Sequence, residues 1–344
     1  MRAAGRWALI AASRPARSGI AVSYGHRRIP APGDQVEGGM VKFQRLQEEF
    51  PHRPRDFNLL YLGSSSLPSD EAMLIRLARL RGARTLVNQD GVAYPAWAGE
   101  RTEALNARLR RVLRAADHLV YQSAFCKEAA DLFLGPPQGG WEVLHNAVDT
   151  TAFTPAEPPP AEGPVLLLGG DQTQTYRLVT ALQTLALLVR WRPGARLLVA
   201  GSLIDDGGTL ANGLGVGDRI EYVGRYAQRD APALYRRAHL LLHTKVNDPC
   251  PNVVLEALAC GLPVVHSASG GTPELVGDAG VGVPSETDWQ RDVPPDPEEL
   301  VEAIEAICMG LDQYRLAARA RAVERFDLAP WVERHRELFA KLVP

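Results

Sequence analysis

The sequence predicts an α/β protein with two Rossmann-like domains, each built on a parallel sheet. Short apolar runs recur along the chain and alternate with helical patterns, which is typical of parallel sheets covered by helices on both faces. A Pro-rich stretch, residues 156–164, separates an earlier series of such runs from a later one and therefore indicates a linker. The length of 344 residues suits two domains.

Composition and charge narrow the functional class. Apolar residues make up 46% of the chain, enough for a hydrophobic core, and the formal net charge of −2 gives no sign of nucleic-acid binding. The four cysteines have no CxxC spacing, which favours reduced thiols in a cytoplasmic protein. No apolar run reaches the roughly 20 residues that a membrane span needs.

The first 33 residues contain six arginines and no acidic residue. Two interpretations are open, a targeting or membrane-surface arm and a poorly ordered extension. The tendency of chain termini to be disordered favours the second. We therefore set residues 1–19 apart as an N-terminal extension of uncertain role, and the first domain is expected to comprise residues 20–155.

The first domain is expected to alternate strands and helices. Its predicted strands are 20–24, 56–62, 85–88 and 118–122, and its predicted helices are 40–50, 69–82 and 103–117. Ser69 and Ser123 are predicted N-caps, because serine accepts hydrogen bonds from the first free amides of a helix. Five arginines lie on the outer face of the third helix, namely Arg101, Arg108, Arg110, Arg111 and Arg114. This face suits an anionic lipid surface or, more simply, solvent.

The second domain is expected to comprise residues 165–310. Its predicted strands are 165–168, 196–200, 219–223, 239–243 and 263–266, and helices 175–192, 231–238 and 252–260 separate some of them. Helices 297–310 and 312–341 are predicted at the end of the chain, and we treat residues 311–344 as a closing segment.

One stretch of the second domain carries the strongest chemical signal. Asp248 lies in a Pro-rich loop, Glu256 lies eight positions later on a helix, and Gly270-Gly271 makes a turn beyond the next strand. The first amides of a helix are unpaired and the helix dipole is positive there, so this point attracts anions. Carboxylates beside it suit sugar hydroxyls, and the combination suits a nucleotide sugar.

This stretch resembles the retaining glycosyltransferases of family 4, of the group 1 type, whose GT-B fold has two Rossmann-like domains facing a cleft. Their pattern is Glu-x7-Glu running into Glu-Ala-Met-Ala-x-Gly-x-Pro-Val-Val, then Gly-Gly-x-Pro-Glu. The chain reads Asp248-x7-Glu256, then Glu-Ala-Leu-Ala-Cys-Gly-Leu-Pro-Val-Val, then Gly-Gly-Thr-Pro-Glu274. It departs from the pattern at the first acid. Residues 145–155 and 324–331 resemble two further family segments, and the second of these crosses back onto the N-terminal domain in GT-B enzymes.

The resemblance implies a donor site in the second domain and an acceptor site in the first. Ligands of doubly wound sheets bind beyond the carboxyl ends of the strands. Glu256 is then expected to hold the ribose diol, with an ordinary exposed helical Glu as the alternative. Asp248 is expected to hold hydroxyls of the donor sugar. The other expected donor-binding residues are Gly38, Gly39, Gly170, Arg225, Asn252 and Val253.

The diphosphate of a donor needs positive charge. The family normally supplies an Arg after the first strand of this domain, where the chain has Asp171, and a Lys several residues later. We therefore expect Arg177 and Lys245 to supply the charge, each with a surface-charge role as the alternative. Many family members carry a His on the loop after the third strand. Gln89 and Asp90 stand there instead, and together with His26 they are expected on the acceptor or sugar side.

The predicted function is sugar transfer with retention from a nucleotide-diphosphate sugar to a hydroxyl of a glycan or other acceptor. This is a hexosyltransferase-type activity, which the family places in polysaccharide or glycoconjugate biosynthesis. No cofactor or metal is expected, and no nucleic-acid partner. The expected location is the cytoplasm, with peripheral association at the inner face of the membrane as an open question. Asp171 and the missing His keep a non-catalytic nucleotide-sugar-binding protein open as an alternative. A GT-B-fold epimerase is a third interpretation, although the Gly-Gly-Thr-Pro-Glu274 run suits the transferase pattern better.

Overall fold

The computed structural model describes residues 3–14, 16, 18–31, 34, 38–157, 162–204 and 207–343. Its contacts divide the chain into two compact units. The first unit lies within residues 1–146 and 329–344, and the second unit comprises residues 147–328. Each unit contains one parallel sheet among its described residues. The predicted fold class, two parallel-sheet α/β domains, is therefore confirmed.

The first unit has a five-stranded sheet in the order β1-β2-β3-β4-β5. Its strands are β1 (Val22–Ser23), β2 (Leu59–Gly63), β3 (Arg84–Gln89), β4 (His118–Tyr121) and β5 (Gly140–Val143). Its helices are α1 (Ala3–Ala12), α2 (Gly38–Glu49), α3 (Glu71–Leu80), α4 (Pro95–Ala98), α5 (Thr102–Ala115), α6 (Ala124–Leu134) and the last helix of the chain, α14 (Leu328–Leu342). Every residue of β2 is buried, as expected for a central strand with both faces covered.

The second unit has a six-stranded sheet in the order β11-β10-β9-β6-β7-β8. Its strands are β6 (Val165–Leu168), β7 (Arg196–Ala200), β8 (Ile220–Gly224), β9 (Leu240–His243), β10 (Val264–Ser267) and β11 (Gly280–Val283). Its helices are α7 (Thr175–Leu188), α8 (Gly208–Gly213), α9 (Ala231–Tyr235), α10 (Asn252–Ala259), α11 (Thr272–Val276), α12 (Pro297–Met309) and α13 (Leu311–Phe326). The strand order reverses between β6 and β9, which makes the ends of these two strands the expected ligand position.

The N-terminal segment differs from the poorly ordered extension that we expected. Residues 3–12 form α1, whose Ile10 is fully buried. Nη1 of Arg6 lies 3.1 Å from Oδ1 of Asp70, and the indole of Trp7 donates to the same carboxylate at 2.9 Å. The segment is therefore packed into the first unit. Residues 1–2, 15 and 17 lie outside the described residues.

One of the two predicted N-caps is wrong. Asp70, and not Ser69, is the residue before α3, and no side chain caps this helix. The Asp70 carboxylate is turned away because it binds α1. Ser123 does cap α6, since its hydroxyl accepts a hydrogen bond from the amide of Cys126 at 3.0 Å.

The boundary between the units lies ahead of the Pro-rich stretch that we predicted as the linker. The amide of Val148 donates to the carbonyl of Phe326 at 2.8 Å, and Phe153 is buried in the core of the second unit. Residues 158–161 of the predicted linker lie outside the described residues.

The predicted helix 312–341 is wrong, because α13 and α14 are separate. Asp327 between them has extended backbone, with φ −63° and ψ 145°, and forms an isolated parallel bridge with Val148. The last helix consequently belongs to the first unit, where Trp331 donates from its indole to the carbonyl of His145 at 3.0 Å. No described helix of the chain is both long and apolar enough to cross a membrane.

Candidate active site

The loop between β9 and α10, residues 244–251, is held by close backbone contacts, and we call it the acid loop. Asn247 has a positive φ of 52°, and its amide donates to a serine hydroxyl in the turn after β10. The amide of Gly271 donates to the carbonyl of Asp248 at 2.8 Å. A Cβ on Gly270, which has a φ of 77°, would lie 2.7 Å from the amide nitrogen of Asp248. These contacts fix the acid loop against the turn that follows β10.

Asp248 is buried and surrounded by positive or polar groups. Its Oδ2 atom lies 3.1 Å from Nζ of Lys245 and 3.4 Å from Nε2 of His243. Burial alone would raise the pKa of this carboxyl. Lys245, His243 and Arg177 instead hold the pKa below its ordinary value, so the carboxylate is ionised at neutral pH.

The helix α10 begins directly after the acid loop. Its N-cap is Pro251, whose side chain makes no capping hydrogen bond. Because α10 begins at Asn252, the amides of Asn252 and Val253 have no helical carbonyl one turn earlier to which they can donate. The helix dipole makes this end of α10 positive. A Cβ on Gly170 would lie 3.3 Å from Cγ1 of Val253, so the loop after β6 packs against the start of α10. Three predicted donor-binding residues therefore lie together beside a helix end that attracts anions.

Glu256 is buried, so the alternative of an ordinary exposed Glu is wrong. Its Oε1 accepts a hydrogen bond from Nε2 of Gln228 at 2.7 Å, and its Oε2 accepts one from the hydroxyl of Tyr235 at 2.9 Å. Burial and the nearby Glu256 raise the pKa of the Tyr235 hydroxyl well above its ordinary value, so the hydroxyl remains a donor. The carboxylate is therefore held in one orientation.

Arg177 is only 4% exposed, so the surface-charge alternative is wrong for this residue. Its guanidinium donates to the carbonyl of Asp171 at 2.7 Å and to that of Gly169 at 3.1 Å. The Asp171 carboxylate accepts from the amide of Ser202 at 2.7 Å. Burial lowers the pKa of Arg177, and Asp248 opposes this effect. Both charged residues thus stabilise the loop after β6, which sequence reasoning did not anticipate.

The two other predicted cations reach solvent. The side chain of Lys245 is 32% exposed beside Asp248. Arg225 is exposed in the loop directly after β8, where Gly224 has a φ of 73°. Among the described residues, no group of three or more His, Cys, Asp or Glu side chains is arranged to hold a metal ion. That the protein needs no metal stays a prediction.

In the first unit, two predicted site residues meet at a serine turn after β2. Gly38 and Gly39 begin α2, and a Cβ on Gly39 would lie 2.2 Å from Oγ of Ser65. Asp90 accepts hydrogen bonds from the amide of Ser65 at 2.9 Å, from its hydroxyl at 2.6 Å and from the hydroxyl of Ser64. The structure therefore brings Gly39 and Asp90 together, with Asp90 holding the turn.

Gln89 and His26 lie at the same edge of this sheet with different exposure. Gln89 is fully buried, and its amide donates to the carbonyl of Gly91. Its place on the acceptor or sugar side stays a prediction. His26 is half-buried, and its carbonyl accepts from Nε2 of His52 at 2.9 Å. Burial lowers the pKa of His26, opposed by a hydrogen bond with the backbone of Ser66, and this favours the neutral ring at pH 7.

The second unit contains most of the segment that known proteins share with this chain. Residues 164–309 match the glycosyl transferases of group 1. The chain is 30% identical over 153 residues to a D-inositol 3-phosphate glycosyltransferase of Mycobacteroides abscessus, covering 41% of this chain and 34% of that protein. It is 28% identical over 225 residues to an alpha-maltose-1-phosphate synthase of Mycolicibacterium smegmatis, covering 58% of this chain and 56% of that protein. The similarity thus spans between a third and somewhat over half of the length of these two relatives.

Solved structures extend the likeness to the whole fold. Sucrose-phosphate synthase from Thermosynechococcus elongatus superposes with a TM-score of 0.67 at 19% identity, covering 87% of this chain and 76% of that one. HepE of Anabaena in complex with UDP gives 0.67 at 16% identity, covering 88% and 82%. At these identities the likeness shows the fold alone. It confirms the predicted GT-B fold class.

Several residues of the site carried little or no sequence signal. His243 ends the otherwise apolar run of β9, a position at which a polar residue marks the carboxyl end of a strand. Tyr235 and Gln228 lie well before Glu256 in the sequence, and no spacing rule connects them to it. No spacing rule connects Ser65 to Asp90 either, because these two residues meet only through the pairing of the neighbouring strands β2 and β3.

Proposed function

We propose that the protein is a glycosyltransferase that transfers a sugar from a nucleotide-diphosphate sugar to a hydroxyl acceptor with retention of configuration. One observation carries the proposal. The acid loop, the start of α10 and the buried Glu256 lie together at the strand-order reversal of the second unit, inside the segment that matches the group 1 glycosyl transferases. Sugar transfer with the family 4 pattern accounts for this arrangement.

The proposed donor roles follow from burial and charge. Glu256, fixed by its two hydrogen bonds, holds the ribose diol. The amides of Asn252 and Val253 face the diphosphate at the positive end of α10. Lys245 neutralises developing charge on the leaving diphosphate, and Arg177 contributes its charge from behind the loop after β6. Asp248 holds hydroxyls of the sugar.

The proposed chemistry needs little from the protein besides positioning. The acceptor hydroxyl attacks the anomeric carbon on the face that the diphosphate leaves, and the departing phosphate oxygen takes the hydroxyl proton. A new C–O bond forms as the old one breaks, so the leaving group carries both the electron pair and the proton. The chain then contributes orientation and charge stabilisation, without a metal.

The acceptor belongs to the first unit in this proposal. The two relatives, a D-inositol 3-phosphate glycosyltransferase and an alpha-maltose-1-phosphate synthase, favour a hydroxylated, sugar-like acceptor. In the proposal the transferred sugar is a hexose, the reaction serves polysaccharide or glycoconjugate assembly, and it takes place in the cytoplasm. Arg108 and Arg110 on α5 form ion pairs with Glu71 and Glu103, so a membrane contact through this helix would rest on its other arginines.

Thermal-shift screening with UDP, GDP and ADP and their sugars tests the donor assignment. A ligand that binds the native state at 100 times its Kd stabilises it by about 2.7 kcal/mol. We expect one nucleotide and its sugar to raise Tm, while the other bases do not. No shift with any of them would contradict the proposal.

A non-catalytic nucleotide-sugar-binding protein is the second candidate. The burial of Arg177 favours it, because Lys245 then supplies most of the accessible charge near the acid loop. Incubation with the stabilising nucleotide sugar and a panel of hydroxyl acceptors separates the two. Release of free nucleotide diphosphate supports the transferase, and binding without release supports the second candidate.

A further inference from the structure

His243 is a buried titratable residue to which the proposed chemistry gives no role. It ends β9, five positions before Asp248, and its side chain is 1% exposed. Its Nε2 atom lies 3.4 Å from Oδ2 of Asp248, the same oxygen that Lys245 approaches at 3.1 Å. The Asp248 carboxylate therefore lies between a partly exposed ammonium group and a buried imidazole ring.

The groups around His243 come from three elements. Asp248 and Lys245 face it from the acid loop, Arg177 faces it from α7, and His266 is its register partner on β10. Burial lowers the pKa of His243, with Asp248 opposing and the two cations reinforcing the effect. The pKa of His266 is about 4, mainly because of burial. Both rings are therefore neutral at pH 7.

A neutral imidazole suits this position. A second positive ring beside Arg177 and Lys245 would add repulsion, whereas a neutral ring still offers one N–H donor. Asp248 has lost most of its hydration by burial, and a buried carboxylate without polar partners is costly. The Nε2–Oδ2 distance of 3.4 Å is longer than an ordinary hydrogen bond, and neither ring nitrogen of His243 has a hydrogen-bond partner among the described residues, so the contact with Asp248 is mainly electrostatic.

We propose that His243 is a positioning residue, whose neutral ring carries its proton on Nε2, lies with that edge beside the Asp248 carboxylate and keeps this carboxylate aligned with Lys245 for the donor. Asp248 and Lys245 are the residues that meet the donor, and His243 acts through them. The effect on transfer rests on the proposed function, whereas the contact between ring and carboxylate stands on the structure alone.

The contact is tested in the full chain by NMR of the imidazole N–H protons at pH 7. The His243 signal is assigned by its loss in His243→Gln. We expect a slowly exchanging Nε2–H proton downfield of a free imidazole N–H, and an upfield shift of this proton in Asp248→Ala. A ring protonated on both nitrogens, or an Nε2–H signal that does not respond to Asp248→Ala, would overturn the contact.

The positioning role is tested by kinetics. His243→Leu removes the donor, and we expect kcat to fall at least tenfold while the KM for the donor and the affinities for UDP, GDP and ADP change by less than about threefold. His243→Gln keeps an N–H donor and should recover most of kcat. His266→Gln replaces an equally buried ring on the neighbouring strand and should leave kcat within about twofold of wild type.

The outcomes separate the two proposals. Normal kcat in His243→Leu, or an equal loss in His266→Gln, overturns the positioning role. Absence of transfer by the wild-type protein with every donor overturns the proposed function, while the NMR comparison still decides whether His243 contacts Asp248. If His243→Leu does not fold, His243→Asn takes its place, since its shorter amide does not span the distance to Asp248.

Discussion

At the scale of single residues, partners decide what each charged side chain near the acid loop can do. Arg177 on α7 donates to two carbonyls of the loop after β6, and Asp171 in that loop accepts from the amide of Ser202, so both are committed to holding the loop. Lys245 has a partner as well, but its side chain remains one-third exposed. It is therefore the residue whose charge is best placed to meet a phosphate.

Lys245→Met tests this difference. The substitution removes the charge and keeps most of the side-chain volume, so we expect at least tenfold weaker binding of the preferred nucleoside diphosphate. Binding of the corresponding nucleoside, which has no phosphate, should change by less than about twofold. Titration calorimetry measures both. Lys341→Met, an exposed lysine of the first unit, is the control. Equal losses for nucleoside and diphosphate would contradict a phosphate role.

Glu256→Gln tests the ribose role without opening a cavity. The amide keeps the size of the side chain and one acceptor for Tyr235, but it loses the charge and one acceptor oxygen. We expect transfer to fall at least tenfold and the free energy of unfolding to fall by roughly 1–3 kcal/mol, because one donor loses its charged acceptor. Rate assays and urea denaturation report the two effects. Glu221→Gln, an exposed surface ion-pair residue, should alter neither, and an unchanged rate in Glu256→Gln would remove this residue from the site.

At the scale of elements, the acid loop depends on a turn that lies twenty residues further along the chain. Gly270 packs its α-carbon against the backbone of Asp248, where a side chain has no room. The loop and the turn belong to adjacent strands, β9 and β10, and so share one edge of the sheet. The position of Asp248 is consequently a property of two elements.

Gly270→Ala should therefore disturb both stability and the site. The substitution puts a Cβ 2.7 Å from two backbone atoms of Asp248 at a φ of 77°, so we expect a loss of about 2 kcal/mol or more. Gly213→Ala is the control, because Gly213 ends α8 and, apart from its chain neighbours and its own helix backbone, no atom of the described residues lies within 4 Å of the place that the added methyl group would take. Chemical denaturation measures both variants. If the two variants are equally stable, the turn accommodates the added methyl group without strain, and the prediction is wrong.

The same scale shows how far sequence reasoning reached. The strands β6, β7 and β9 and the helix α10 were predictable, because continuous apolar runs and a helix start after Pro251 are local signals. The inward orientation of Arg177 could not be predicted in this way. It depends on which carbonyl groups of the folded loop are still available to accept a hydrogen bond. The weakly apolar β11, rich in glycine, was missed for a related reason, because its pairing with β10 and not its own sequence makes it a strand.

At the scale of the whole molecule, buried histidines in both units link stability to pH, and His335 and His266 illustrate the effect. His335 in the first unit has a pKa of about 3 and His266 in the second a pKa of about 4, in both cases mainly through burial. Both values lie below the ordinary value of 6.5, so the unfolded chain binds more protons between pH 6.5 and these values. Stability is therefore complete above about pH 6.5 and falls as the pH drops through this window.

We expect each of these histidines to cost on the order of 2 kcal/mol of stability between pH 7.5 and pH 5. Denaturation curves at the two pH values measure the loss. In the His266→Gln variant the side chain at this position does not titrate. Acidification should therefore lower the stability of its second unit less than that of the wild-type second unit. A denaturation midpoint that is the same at both pH values would contradict the burial of uncharged rings.

The division into units was the part of the architecture that sequence reasoning placed least well. A Pro-rich composition marks a linker only if the flanking segments pack apart, and here Val148 and Phe153 pack with the second unit. The separation of α13 from α14 likewise depends on the bridge between Val148 and Asp327, a contact between distant residues. The parallel-sheet α/β domains, in contrast, followed from alternating local patterns, and the GT-B fold followed from the resemblance to family 4; both predictions were correct.

The assignment of α14 to the first unit has a consequence for the order of synthesis. The ring of His335 lies against Tyr61 and Phe339 in the interior of that unit, yet it leaves the ribosome after the entire second unit. At translation rates of about 5–20 residues per second, the nascent first unit waits on the order of ten seconds or longer for its final helix. The second unit is contiguous and has no such delay, so the later half of the chain is the one that is able to complete its core first.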